Sequence, residues 1–103
     1  MHKHSVLSVA KHFSRFPAGR FKTHSIHSGE GFRELLVTKL NENDTVTVLL
    51  NDTMGFGSSW IEEAFGGLVL KDNFTAADLL KRLTIRADDK SLVIEAWSYI
   101  NGT

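Results

Sequence analysis

The spacing of apolar residues changes character several times along the chain, and each change marks an element. Val6, Leu7, Val9 and Phe13 make Ser5–Phe13 read as a strand. Arg15-Phe16-Pro17-Ala18-Gly19-Arg20 reads as a reversal, because proline presets φ and glycine tolerates φ > 0. Phe21–Ile26 then alternates apolar and polar side chains, which predicts a second strand folded back on the first as a hairpin. Ser28 next supplies a capping oxygen and Glu30 a first-turn carboxylate, so a helix starts there. Its apolar face is Phe32, Leu35, Leu36 and Leu40, and Asn41-Glu42-Asn43-Asp44 closes it.

Val46-Thr47-Val48-Leu49-Leu50 is almost continuously β-branched or apolar, the pattern of a central parallel strand buried on both faces. Asn51–Gly57 is a glycine-bearing loop, after which Ser58-Ser59 opens a second helix, with Ser59 and Glu62 at capping-box spacing. Trp60, Ile61, Ala64, Phe65, Leu68 and Val69 give that helix a broad apolar stripe interrupted by Gly66-Gly67. Each glycine costs a helix interior about 1 kcal/mol against alanine, so either the helix ends there or its backbone packs very closely on a neighbour. Thr75 and Asp78 mark a short helix to Arg82, and Leu83-Thr84-Ile85-Arg86 is a short strand. Asp88-Asp89 starts a last helix with Leu92, Val93, Ala96, Trp97 and Ile100 on one face, stopped at Asn101-Gly102.

The order ββαβααβα predicts one α/β domain over residues 1–103: an N-terminal β-hairpin followed by βα units, in a mixed four-stranded sheet with helices packed on it. Composition narrows the function. The 42% apolar content is that of a globular protein, and 12 basic against 12 acidic side chains leave no field for nucleic-acid binding. The absence of cysteine removes disulfides, thiolate metal sites and a cysteine nucleophile, and fits a cytoplasmic protein. No run approaches the ~20 apolar residues of a membrane span, so no membrane partner is expected.

Few residues invite chemistry. Ser58 and Ser59 follow a parallel strand and open a helix, where free N–H groups and the helix dipole favour an anion. Both also suit simple capping, and a capping serine can double as a regulatory or anion site. The nucleophile-elbow pattern fails, because Trp60 stands where its last glycine belongs. Asp52, Met54, Phe56 and Trp60 surround this loop as candidate partner-binding residues, with core packing the alternative for the aromatic pair. Arg15, Arg20 and Arg33 could bind an anion, or form ion pairs with Glu30, Glu34 or Glu62. The five histidines crowd into the first 27 residues without a spacing that converges on a metal, and adjacent Glu62 and Glu63 diverge on a helix. No catalytic constellation, metal or cofactor is expected, and the chain reads as a non-enzyme.

Two segments carry a resemblance. Phe13-Ser14-Arg15-Phe16-Pro17-Ala18-Gly19-Arg20-Phe21, followed by Ser28-Gly29-Glu30-Gly31-Phe32-Arg33-Glu34, resembles the opening of the STAS-like domain family of unknown function. Gly55-Phe56-Gly57-Ser58-Ser59-Trp60-Ile61-Glu62-Glu63-Ala64-Phe65-Gly66-Gly67-Leu68 resembles that family's second signature. The resemblance implies a STAS-like fold. STAS domains include anti-sigma-factor antagonists, which bind a histidine-kinase-like ATPase and are switched by phosphorylation of a serine after a central strand. Ser58 holds the matching place here, and Gly57 stands where those domains usually carry an aspartate. The resemblance thus implies a regulatory protein-binding module with a candidate switch at Gly57, Ser58 and Ser59. The alternative is a small-ligand or nucleotide-binding domain using the same helix N-terminus.

Overall fold

The computed structural model describes residues 2–102. Three strands, β1 (His4–Ser8), β2 (Thr45–Leu49) and β3 (Leu83–Arg86), form a sheet in sequence order, and both pairings are parallel. The expected four-stranded mixed sheet is therefore corrected to three parallel strands. The N-terminal hairpin is absent for two local reasons. The first strand ends at Ser8, whose hydroxyl accepts the Lys11 N–H and caps a one-turn helix α1 (Val9–His12). Residues 21–26 form turns, with the His24 and Ser25 N–H groups both donating to the Phe21 carbonyl. Alternation over six residues describes a strand only where a neighbouring strand supplies partners, and none lies beside this segment.

Helix α2 (Gly29–Glu42) starts at Ser28 as expected, the Ser28 hydroxyl accepting from the Gly31 N–H. The helix after the 51–57 loop is composite: α3 (Ser58–Ile61), a π segment (Glu62–Gly66) and α4 (Gly67–Leu70). Gly66-Gly67 does not end it. A Cβ on Gly66 would lie 3.3 Å from the Tyr99 Cβ, and one on Gly67 would collide with the Arg33 side chain, so both glycines mark close approach. Short α5 (Ala76–Arg82) is capped by Thr75, whose hydroxyl accepts from Asp78, and α6 (Lys90–Ile100) by Asp89.

The composite helix is the middle of the helical layer, packed between α2 and α6. It is buried nearly all round, which is how a central helix differs from an amphipathic one. The core joins Leu7, Val46, Val48, Leu83 and Ile85 of the sheet to Phe32, Leu36, Trp60, Phe65, Leu68 and Ala96 of the helices. Only one face of the sheet is packed in this way. Thr45, Thr47 and Leu49 of β2 are half-buried, Val6 is 50% exposed, and Thr84 and Arg86 are exposed. The expectation that β2 is buried on both faces is thus corrected. Threonine, arginine and histidine keep the open face hydrated: His4 bonds Thr45 at 2.6 Å and Thr47 at 3.2 Å. Among the described residues no helix is long and apolar enough to cross a membrane.

Candidate functional site

The loop 51–57 and the start of α3 are held by backbone chemistry. Asp52 and Gly55 adopt positive φ, 72° and 114°, which turn the chain away from β2 and back into the helix. Such a conformation is ordinary for glycine and strained for aspartate. The Met54 N–H donates to the Arg15 carbonyl (2.8 Å), tying this loop to the irregular segment 13–28. Irregular connections of that length are uncommon in compact domains and are usually functional.

The cap of α3 differs from the serine caps expected. Gly57 is the N-cap residue, its carbonyl accepting from the Trp60 and Ile61 N–H groups, and no side chain caps the helix. Ser58 and Ser59 are therefore the first helical residues, and both are exposed. The Ser59–Glu62 capping box is not formed, because helical geometry begins before Ser59 can act as a cap. Uncapped N–H groups in a first turn are where negative charge is best tolerated.

The flanking residues divide by depth. Trp60 is only 1% exposed, and its indole N–H donates to the His27 carbonyl at 2.8 Å. It stacks on Phe32 (centroids 5.3 Å apart) and carries the half-buried Phe56 on its other side (4.9 Å). Trp60 is thus a buried platform, and Phe56 is what that platform presents. Met54 is 74% exposed, and Asp52 is also exposed. Sequence reasoning passed over Phe16 (61% exposed) and Ile26 (83%) on the 13–28 segment; assigning Ile26 to a strand concealed its exposure.

The arginines separate. Arg15 is exposed and carries no ion pair, whereas Arg20 pairs with Glu62 at 2.6 Å and approaches Glu63 at 3.6 Å. Arg33, 7% exposed, pairs with Glu63 and, at 2.9 Å, with Asp72. Its guanidinium also donates to the Glu63 carbonyl (2.9 Å), a backbone acceptor inside the wide π turn. Gly67 leaves the space that this guanidinium fills. Lys71 completes the cluster, 2.7 Å from Glu63 and 5.0 Å from the Phe21 ring centre. Burial pushes the Glu63 carboxyl up, but hydrogen bonds from Lys71 and Arg33, with the charges behind them, hold it below the ordinary carboxylate value. Lys71 and Asp72 were not foreseen, since no spacing rule links them to α2. This network braces the helix that presents Ser58. The described residues contain no cluster able to hold a metal.

A family model described as a STAS-like domain of unknown function (DUF4325) matches residues 28–92, more than half of the 103-residue chain. That span runs from the cap of α2 through β3 and into α6, and includes the whole 51–60 surface. No curated protein and no solved structure matches the chain.

Proposed function

The chain belongs to the STAS-like domain family of unknown function, and from that membership we propose a non-catalytic regulatory module that binds another protein through its 51–60 surface. The observation that carries the reading is the exposure of Ser58 and Ser59 on the first turn of a rigidly braced helix, beside exposed Met54 and the Trp60-supported edge of Phe56. A phosphate on Ser58 adds about −1.5 to −2 charges where the helix dipole tolerates them, so modification would change the surface without unfolding it. The partner class that STAS analogy suggests is a cytoplasmic histidine-kinase-like ATPase or another signalling protein. Gly57 stands where those domains usually carry an aspartate, so the switch part of this reading rests on exposed Ser58 and Ser59 without that neighbour.

The test is affinity capture from host lysate with wild type beside Ser58→Glu and Met54→Ala. A specific ATPase or signalling protein retained by wild type and lost with the added charge supports the module. Equal retention by all three baits assigns binding to another surface.

A second reading rests on the same uncapped turn. The Ser58 and Ser59 N–H groups have no capping side chain, an arrangement suited to a small anion or a nucleotide phosphate. A ligand that binds only the folded state raises its melting temperature, so a thermal-shift panel of nucleotides and inorganic phosphate tests it. No shift at millimolar ligand removes this reading.

A further inference from the structure

The two edges of the sheet are treated differently. At the β1 edge the Ser8 N–H, which points away from β2, is taken by the His12 imidazole at 2.9 Å, and α1 turns the chain away at once. The β3 edge has no such device. The Arg86 carbonyl accepts from the Leu50 N–H, so Arg86 and Thr84 face β2, and Ile85 directs its N–H and C=O to the free edge. Leu83–Arg86 has no proline, no lysine and no bulge, and within the strand only its four-residue length and exposed Arg86 restrain pairing there.

The surroundings of this edge are self-complementary. At the exit of β3 lies a cavity of about 590 Å³ lined in part by Ile85, Ala87, Val93 and Ile94, with Ile94 70% exposed. At its entry lies a second cavity of about 510 Å³ lined by Ala76, Ala77, Leu80, Trp97 and Asn101, with Leu80 73% exposed. Charge follows the same polarity. Lys81 precedes the strand and Asp88 follows it; both are exposed and neither holds an ion pair, whereas Arg82 is committed to Asp78 and to carbonyls at the end of α2. An antiparallel neighbour of the same sequence brings the entry of one strand beside the exit of the other.

We infer that the free β3 edge is the docking surface for a second copy of this chain, paired antiparallel about a two-fold axis at Ile85. Ile85 of each copy exchanges N–H···O=C bonds with Ile85 of the other, and the Leu83 carbonyl of each meets the Ala87 N–H of the other. The three-stranded sheet becomes six-stranded. Asp88 of each copy then follows its strand beside the last turn of the other copy's α5, within reach of the long Lys81 side chain, and exposed Ile94 of one meets exposed Leu80 of the other. Each contact occurs twice, as an isologous interface requires. A strand of foreign sequence would have to reproduce this charge and apolar order to fit as well.

Sedimentation equilibrium from about 5 to about 500 µM, with folding of each variant checked by circular dichroism, reads the association. Wild type is expected to be a reversible dimer, and Ile94→Glu a monomer over most of that range. Lys81→Glu alone and Asp88→Lys alone each place like charges across the axis and weaken the dimer about tenfold. An equimolar mixture of these two variants restores opposite charges at both contacts and recovers association as a heterodimer. The Ile85 amide exchanges with solvent more slowly as concentration rises. Monomer behaviour throughout, a dimer indifferent to both charge reversals, or weakening without recovery on mixing each overturns the inference. Ser58 lies outside the interface, so partner capture and self-association can fail independently.

Discussion

Glu63 shows how a single buried carboxylate can set the acid limit of a small domain. Its ordinary value is 4.5, and the folded state holds it lower because the hydrogen bonds of Lys71 and Arg33 outweigh burial. A group depressed in the folded state contributes stability above its unfolded value, and that contribution drains away as pH falls through the folded one. Urea titrations from pH 6 downward should therefore show a loss beginning near 4.5 that is absent in Glu63→Gln, with the variant less stable at neutral pH. The glycines give a steric counterpart. A Cβ on Gly29 would stand 2.5 Å from the Trp60 carbonyl, a backbone atom unable to yield alone. Gly29→Ala should cost about 1–3 kcal/mol in chemical denaturation. At Gly57 no atom lies within 4 Å of a new Cβ, so Gly57→Ser is sterically free and adds a cap worth a few tenths of a kcal/mol. Caps such as Ser28, Thr75 and Asp89 were legible in the sequence, because capping is chemistry between near neighbours. The Arg33 network was not, because its members come from separate elements joined only by folding.

Among elements, legibility followed the source of the signal. β2, β3, α2, α5 and α6 announce themselves by periodicity and by their stop residues, and the structure places them within a residue or two of expectation. Residues 21–26 carry equally good alternation and still form turns, since strand pattern without a pairing partner has nothing to bond. The π segment was hidden for another reason. Its Glu63 carbonyl accepts from the Arg33 guanidinium of another helix, a contact that no local spacing announces. Thr75→Ala tests the weight of one element boundary: loss of the 3.0 Å bond to the Asp78 N–H should cost about 1 kcal/mol and fray α5, seen as faster amide exchange at its first turn. The same experiment at Ser28, whose side chain is fully buried, should cost more, about 2 kcal/mol, because the Gly31 N–H is left without its partner.

At the scale of the molecule, the domain is a two-layer arrangement whose sheet is packed on one side only. Parallel sheets are normally covered on both faces, and this one carries threonine, histidine and arginine on its uncovered face beside half-exposed Val6 and half-buried Leu49, alternating with core valine and leucine. A continuous β-branched run concealed this, since threonine reads as readily as a buried strand residue as a hydrated one. The candidate site was legible as a place, a loop after a central strand leading into a helix. Its depth profile, with Trp60 as support and Met54 outermost, required the fold.

In the terms of polymer chemistry, the His12 imidazole on the Ser8 N–H is placed as a chain stopper at the β1 edge. A unit with one reactive end can only dimerise, whereas a unit with two reactive ends grows into chains. If β3 pairs as proposed, His12 on the last outward N–H of β1 limits pairing at the other edge, and growth of the sheet is expected to terminate at two copies. His12→Ala should supply the second end. Light scattering of concentrated wild type is then expected to plateau, while that of the variant climbs with time; an unchanged plateau would show that α1 alone is sufficient as the chain stopper.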